Sequence, residues 1–216
     1  ESITARPYTH RPAPESSQKR PLSQGANPYS DITCLEAINL IGRNIVQAVN
    51  DPIEENYDAL MFSGMLAGIG FGNAGCHLPH GMSYAVAGLV KDYKPDGWPT
   101  DHSMVPHGIS VIVNSPAVFR KTGPACPDRH WEAANAMGAD LTDKNMEDGG
   151  EILADQIISM MRDTGIPNGL SGVGYSMSDL DALTDRSFAQ KRLIDNGPLP
   201  IARNALKKLF HDAMSY

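Results

Sequence analysis

Cysteine is scarce in this chain. Cys34, Cys76 and Cys126 are the only three in 216 residues, widely spaced and without a CxxC pair. An odd, scattered set excludes a disulfide framework and fits a reducing compartment. Basic runs are missing as well, and the formal net charge is −7. That balance argues against a nucleic-acid or anionic-membrane surface, both of which need a concentrated cationic patch. There is no secretory leader pattern at the start of the chain. No segment alternates apolar and polar residues as a half-buried strand would, and no internal repeat is present, so the expected class is all-α. A Gly-x-Ser-x-Gly elbow, a P-loop and a His-Glu-x-x-His zinc motif are all absent. Gly68, Gly70 and Gly72 do not form a dinucleotide fingerprint, because they fall inside a helical pattern rather than after a strand.

Charge is also missing locally. From Ala59 to Val90 there is no Asp, Glu, Lys or Arg. The length would span a bilayer, but Asn73, His77, Pro79, His80 and many glycines interrupt it. A buried helix pair is the expectation, and no membrane partner.

The remainder divides into an arm and a helical body. Residues 1–29 carry Pro7, Pro12, Pro14, Pro21 and Pro28 among polar residues, which predicts an irregular arm rather than a packed element. Residues 30–216 form the body. Asp31 is placed to cap a first helix in which Leu35, Ile38, Ile41, Ile45 and Val49 recur at helical steps, with Asn50-Asp51-Pro52 as the stop. A second helix starts near Glu54. Gly64, Gly68 and Gly72 would lie on one stripe of it and let another backbone approach closely. Residues 91–103 read as a polar loop, with a helix after Pro106. Asp148-x-x-Glu151 and Ser176-x-x-Asp179 resemble capping boxes. Ala202–Met214 is an amphipathic closing helix with Ala205, Leu206, Leu209 and Phe210 inward.

The chemistry-bearing residues cluster in Gly75–Tyr84 (GCHLPHGMSY). If that segment is helical throughout, His77, His80 and Tyr84 share one face. Val105-Pro-His-Gly108 places His107 at a loop-to-helix junction. Two imidazoles on separate elements can converge on a metal such as Zn or Fe. A histidine on an apolar helix is also commonly a hydrogen-bonded core residue, and spacing alone does not choose between these.

The run GIGFGNAGCHLPHGMSY followed by VPHG resembles the signature region of the iron-containing (group III) alcohol dehydrogenases. GANPYSD, HGMSYAVAGLVKDYK, VPHGISVIVNSPAVFRKTGPACPDRHWEAA and GYSMSDL are similar to the mitochondrial branch that passes hydride between hydroxyacids and oxoacids. The resemblance covers nearly the whole chain and weakens over the last thirty residues or so. It implies a helical domain of the dehydroquinate synthase-like, iron alcohol dehydrogenase C-terminal type. It further implies that His80 and His107 are metal ligands and that Phe71 lines the nicotinamide pocket. Many family members carry a further histidine where this chain has Tyr84, which is left as a possible hydrogen-bond donor to substrate. His77 is expected to be structural, His102 solvated, and His10, His130 and His211 without a chemical role.

The cofactors implied are a divalent metal, Fe²⁺ or Zn²⁺, and NAD. The substrates implied are small hydroxyacids and oxoacids such as 4-hydroxybutyrate and 2-oxoglutarate, in mitochondria; a homo-oligomer remains open. The family takes two more ligands, an Asp and a His, and its nucleotide-binding domain from sequence that would precede Glu1. The chain, which does not begin with Met, is therefore expected to be a fragment or truncated form, inactive alone. Two alternatives stand beside this reading: an ordinary NAD-dependent iron or zinc alcohol dehydrogenase, and a non-catalytic helical interaction module.

Overall fold

The computed structural model describes residues 1–216. It contains ten α-helices, no β-strand and one isolated bridge between Pro7 and Ala26, in line with the all-α expectation. Helix α1 (Pro28–Asn50) and helix α2 (Glu54–Ala74) are joined by a tight turn, and α2 folds back along α1. The cap of α1 is Asn27 and not Asp31. The Asn27 Oδ1 accepts the backbone N–H groups of Tyr29 and Ser30 at 3.1 Å each, and Pro28 occupies the first turn, where its missing N–H costs nothing. Asp31 instead pairs with Arg129 at 2.6 Å. The stop at Asn50 falls where Asp51-Pro52 placed it.

Helix α3 (Leu78–Gly88) meets α2 at 106°. It is the buried member of the pair: Leu78, Met82, Ala85 and Val86 are fully covered. The expectation that both helices would be buried fails for α2, which turns Met61, Phe62, Met65 and Ile69 outward; Met61 is 77% exposed. No single helix is long and apolar enough to cross a membrane.

The glycine stripe is a second correction. A Cβ added at Gly64, Gly68 or Gly72 would meet nothing within 4 Å, so no backbone approaches there. The close contact is at Gly70, on the other side of α2, where a Cβ would lie 2.2 Å from Cys34 Sγ on α1. Two residues of phase, about 200° around a helix, separate the stripe from the position that packs.

The rest of the body is built from α4 (His107–Ile112), α5 (Ser115–Thr122), α6 (Pro127–Ala136), α7 (Gly149–Asp163), α8 (Leu180–Phe188), α9 (Lys191–Ile194) and α10 (Arg203–Asp212). Leu78, Met82, Val118, Leu153, Leu183 and Phe210 share one core. Gly123, just after α5, and Gly150 on α7 let two backbones touch; a Cβ on Gly123 would lie 2.6 Å from the Gly150 Cα. Ser176 and Asp179 form the capping box that their spacing suggested. Asp148 and Glu151 do not. A 3-10 turn over Met146–Asp148 runs straight into α7, so Asp148 never adopts a capping conformation, and Glu151 reaches Arg120 at 2.7 Å instead. In α10, Leu206, Leu209 and Phe210 point inward as expected, with Ala205 only partly covered.

The arm is irregular over most of residues 1–29, but its first residues are packed. Ser2, Ile3, Thr4 and Ala5 are buried, and Ile3 belongs to the core. The side chain of Arg129 on α6 donates to the Ile3 carbonyl at 3.0 Å while its other end holds Asp31, tying arm, α1 and α6 together.

These contacts predict opposite outcomes for two kinds of glycine substitution. Gly64→Ala and Gly68→Ala, in open helix interior, should stabilise the chain by about 0.4–1 kcal/mol each. Gly70→Ala forces the Cys34 contact apart and should cost about 1–3 kcal/mol. Urea midpoints of the three variants test this, and a Gly70→Ala variant as stable as wild type would refute the packing described.

Candidate functional site

The site is organised by the break between α2 and α3. Gly75 ends α2 at φ +80°, and a Cβ there would strike Ser23 at 2.4 Å, so glycine serves both the turn and the close approach. His77 is the residue before α3, outside its helical backbone. This corrects the expectation that His77, His80 and Tyr84 share one helical face. His77 points into the protein and is fully buried, while His80 and Tyr84, one turn apart on α3, open onto a cavity of about 380 Å³.

That cavity also takes in Phe71 from the end of α2 and His107 from the start of α4. The four residues singled out in the sequence thus lie around one space, although His107 is carried on a separate helix. The His80 and His107 rings are 5.1 Å apart between centroids, at 61°. Two imidazoles sharing one tetrahedral ion, with metal–nitrogen bonds of about 2.1 Å, place their ring centres roughly 5 Å apart. The separation of the two rings matches that spacing. A second, mostly apolar cavity of about 620 Å³ lies on the other side of His107, lined by Ile41, Ile45, Ile109, Ile112 and Met160. This explains why Ile41 and Ile45 on α1 are only partly covered.

Two residues at the site were missed from sequence. Glu1 accepts the Nδ1–H of His80 at 2.9 Å with one carboxylate oxygen and the backbone N–H of His77 at 3.0 Å with the other. With Nδ1 so engaged, the Nε2 of His80 is left as the donor for a metal, the usual division of labour in a ligating histidine. Burial opposes charge on Glu1, but the His80 hydrogen bond and the positive charge around it together outweigh burial, and the carboxyl is lowered to about 2. Burial likewise opposes protonation of His80, yet its hydrogen bonds to Cys76 and Glu1 raise it to about 10, so a metal ion would have to displace the Nε2 proton. Cys76 is the second missed residue. Donor atoms of Glu1, Cys76 and His80 all lie within 4.8 Å of one another. The Cys76–His80 spacing of four was visible in the sequence; the approach of Glu1, 79 positions away, was not.

His77 serves structure. Its Nε2–H donates to Thr4 Oγ1 at 2.9 Å, and the Thr4 hydroxyl donates in turn to the Glu1 carbonyl at 3.0 Å. Its Nδ1 has no partner, which fits a neutral ring with a lone pair there rather than an orphaned N–H. His130, expected to have no chemical role, is a second buried neutral ring: Nδ1–H donates to the Cys126 carbonyl at 2.9 Å, and Nε2 meets the Thr122 hydroxyl at 2.8 Å. Phe119 lies edge-on between the two histidines. His10, His102 and His211 are exposed.

Residues 22–214 match the model of the Fe-containing alcohol dehydrogenase family, C-terminal part. The chain belongs to the iron-containing alcohol dehydrogenase family. It is 42% identical to the mitochondrial hydroxyacid-oxoacid transhydrogenase of Xenopus laevis, covering 99% of this chain and 47% of that protein. It is 41% identical to that of Homo sapiens, covering 99% and 46%. It is 40% identical to a probable hydroxyacid-oxoacid transhydrogenase of Dictyostelium discoideum, covering 100% and 40%. Among solved structures it resembles a 1,3-propanediol oxidoreductase, with TM-score 0.76 and 26% identity over 87% of this chain and 46% of that one. The alcohol dehydrogenase of Oenococcus oeni shares the fold at TM-score 0.74 and 24% identity, over 87% and 45%. The chain spans about half the length of the relatives it matches.

Burial lowers His77 to about 3 and His130 to about 4. An unfolded chain would protonate both near their ordinary 6.5, so below that pH the unfolded state binds more protons than the folded one. The share of stability owed to these two rings should be whole above pH 6.5 and fall toward pH 4, each contributing a slope of up to about 1.4 kcal/mol per pH unit. His130→Gln should flatten that slope in urea titrations at stepped pH; an unchanged slope would show that His130 is not a buried neutral ring.

Proposed function

We propose that this chain forms the metal-binding half of an NAD-linked oxidoreductase that passes hydride between a hydroxyacid of the 4-hydroxybutyrate type and an oxoacid of the 2-oxoglutarate type, in mitochondria. The observation that carries the reading is the convergence of His80 and His107 at 5.1 Å on a cavity that also presents Phe71 and Tyr84. The identity to mitochondrial transhydrogenases over essentially the full chain supports the substrate class and the compartment.

Each residue has a part to play. His80 and His107 would hold a divalent metal, Fe²⁺ or Zn²⁺. When bound, such an ion supplies Lewis acidity at the substrate oxygen and so eases loss of the hydroxyl proton. The hydride chemistry belongs to NAD. Glu1 fixes the ring and tautomer of His80, so that one nitrogen is held ready and the other is committed. Phe71, half exposed at the cavity edge, offers an apolar face for the nicotinamide. Tyr84, one turn beyond His80, offers a hydroxyl donor to a substrate oxygen.

Metal content decides the matter. With the upstream sequence that would supply the Asp and His ligands and the nucleotide domain included, and after purification with Fe²⁺ or Zn²⁺ and dialysis, the protein should retain a stoichiometric metal by elemental analysis. His80→Ala and His107→Ala should each lose it, and the exposed control His102→Ala should keep it. Absence of metal in the wild type, or its retention in both site variants, would refute the assignment.

A further inference from the structure

The cavity at His80 and His107 holds one permanent cation. Arg192, on the short helix α9, lines the same space as the two histidines, Phe71 and Tyr84, and no carboxylate is among the lining residues. Arg120, Arg129 and Arg203 are each held by acidic partners. Arg192 has none and is exposed to the cavity. In a chain whose net charge is −7, an unpaired guanidinium facing a site is the feature that would draw an anion there.

The backbone beneath Arg192 is firmly placed. Leu193 and Ile194 are buried, and Ile194 packs so tightly on α3 that a Cβ at Gly81 would meet its Cδ1 at 2.9 Å. Just beyond α9, Asn196 Nδ2 donates to the Cys76 carbonyl at 2.9 Å and to the Ala74 carbonyl at 3.2 Å. Ser187, just before α9, donates to the Gly81 carbonyl at 2.9 Å. Segments on both sides of Arg192 are therefore bonded to the backbone around His80.

We propose that Arg192 receives the substrate carboxylate and makes this site select hydroxyacids and oxoacids over neutral alcohols. A guanidinium presents paired N–H donors that match both carboxylate oxygens, which a lysine cannot reproduce. The metal-binding pair would then hold the carbon-bound oxygen at one end of the substrate and Arg192 the acid group at the other. The inference rests on the reading of the site given under Proposed function.

The test is binding to the full chain, followed by nuclear magnetic resonance on the arginine side-chain N–H signals, with 4-hydroxybutyrate and its neutral counterpart butane-1,4-diol as probes. Wild type should bind the acid saturably, with the Arg192 signal shifting. Arg192→Gln should weaken the acid by about ten-fold or more, as loss of a charge-assisted hydrogen-bond pair implies. Arg192→Lys should fall between the two, and all three proteins should respond alike to the diol. Absence of acid binding by the wild type, undiminished acid binding by Arg192→Gln, or an equal loss of acid and diol would overturn the proposal. Metal content, measured on the same variants with the upstream ligands included, separates the two claims. Arg192-dependent acid binding without metal would sink the metal reading alone, and metal retention with Arg192-independent acid binding would sink this inference alone.

Discussion

The break at Gly75–His77 sets the whole site. It turns the chain by 106° between α2 and α3 and leaves a stretch of backbone outside any helical ladder. Those groups are buried and need partners, and the partners come from far away in sequence. Ser2 Oγ donates to the Gly75 carbonyl, Glu1 accepts the His77 N–H, and Asn196 donates to the Ala74 and Cys76 carbonyls. The bend brings Phe71 at the end of one helix next to His80 at the start of the next. Without it, a continuous helix would carry those two side chains to different faces.

Glu1 works at two levels in this arrangement. One oxygen closes the bend and the other turns the His80 ring. The group that stabilises the fold is therefore also the group that prepares the histidine. Its carboxyl is held low against burial by the His80 hydrogen bond and the positive charge around it. His77 and His130 show the contrasting use of the same residue type. Each is buried with hydroxyl or carbonyl partners and no carboxylate bond to its ring, so each stays uncharged.

Much of this was legible in the sequence, and the pattern of success is physical. Helical periodicity, proline stops and the absence of alternation identified an all-α body, because those signals are local. His80, His107, Phe71 and Tyr84 were found through short motifs and do lie around one cavity. The misreadings concern phase and distance. Gly64, Gly68 and Gly72 formed a pattern, yet α2 is rotated so that Gly70 makes the contact, and rotation is decided by Cys34 and Thr33 on the partner helix. Asn27 took the cap that Asp31 was given because Pro28 suits a first turn and Arg129 draws Asp31 away. Glu1 and Arg192 reach the site from opposite ends of the chain, and no local rule joins residues so far apart.

The dependence of the bend on distant partners has a kinetic side. Helices α1 and α2 are held by contacts between neighbours in sequence, which form early and cheaply. The arm must close spans of 73 residues to reach Gly75 and His77, and 126 to reach Arg129. Such long closures carry an entropy cost that only a nearly assembled body can offset. The contacts by which the arm completes the cavity around His80 thus carry a larger closure cost than those that pair α1 with α2. By the same balance that cavity is among the first to open when the body loosens, so its occupancy and the integrity of the arm rise and fall together.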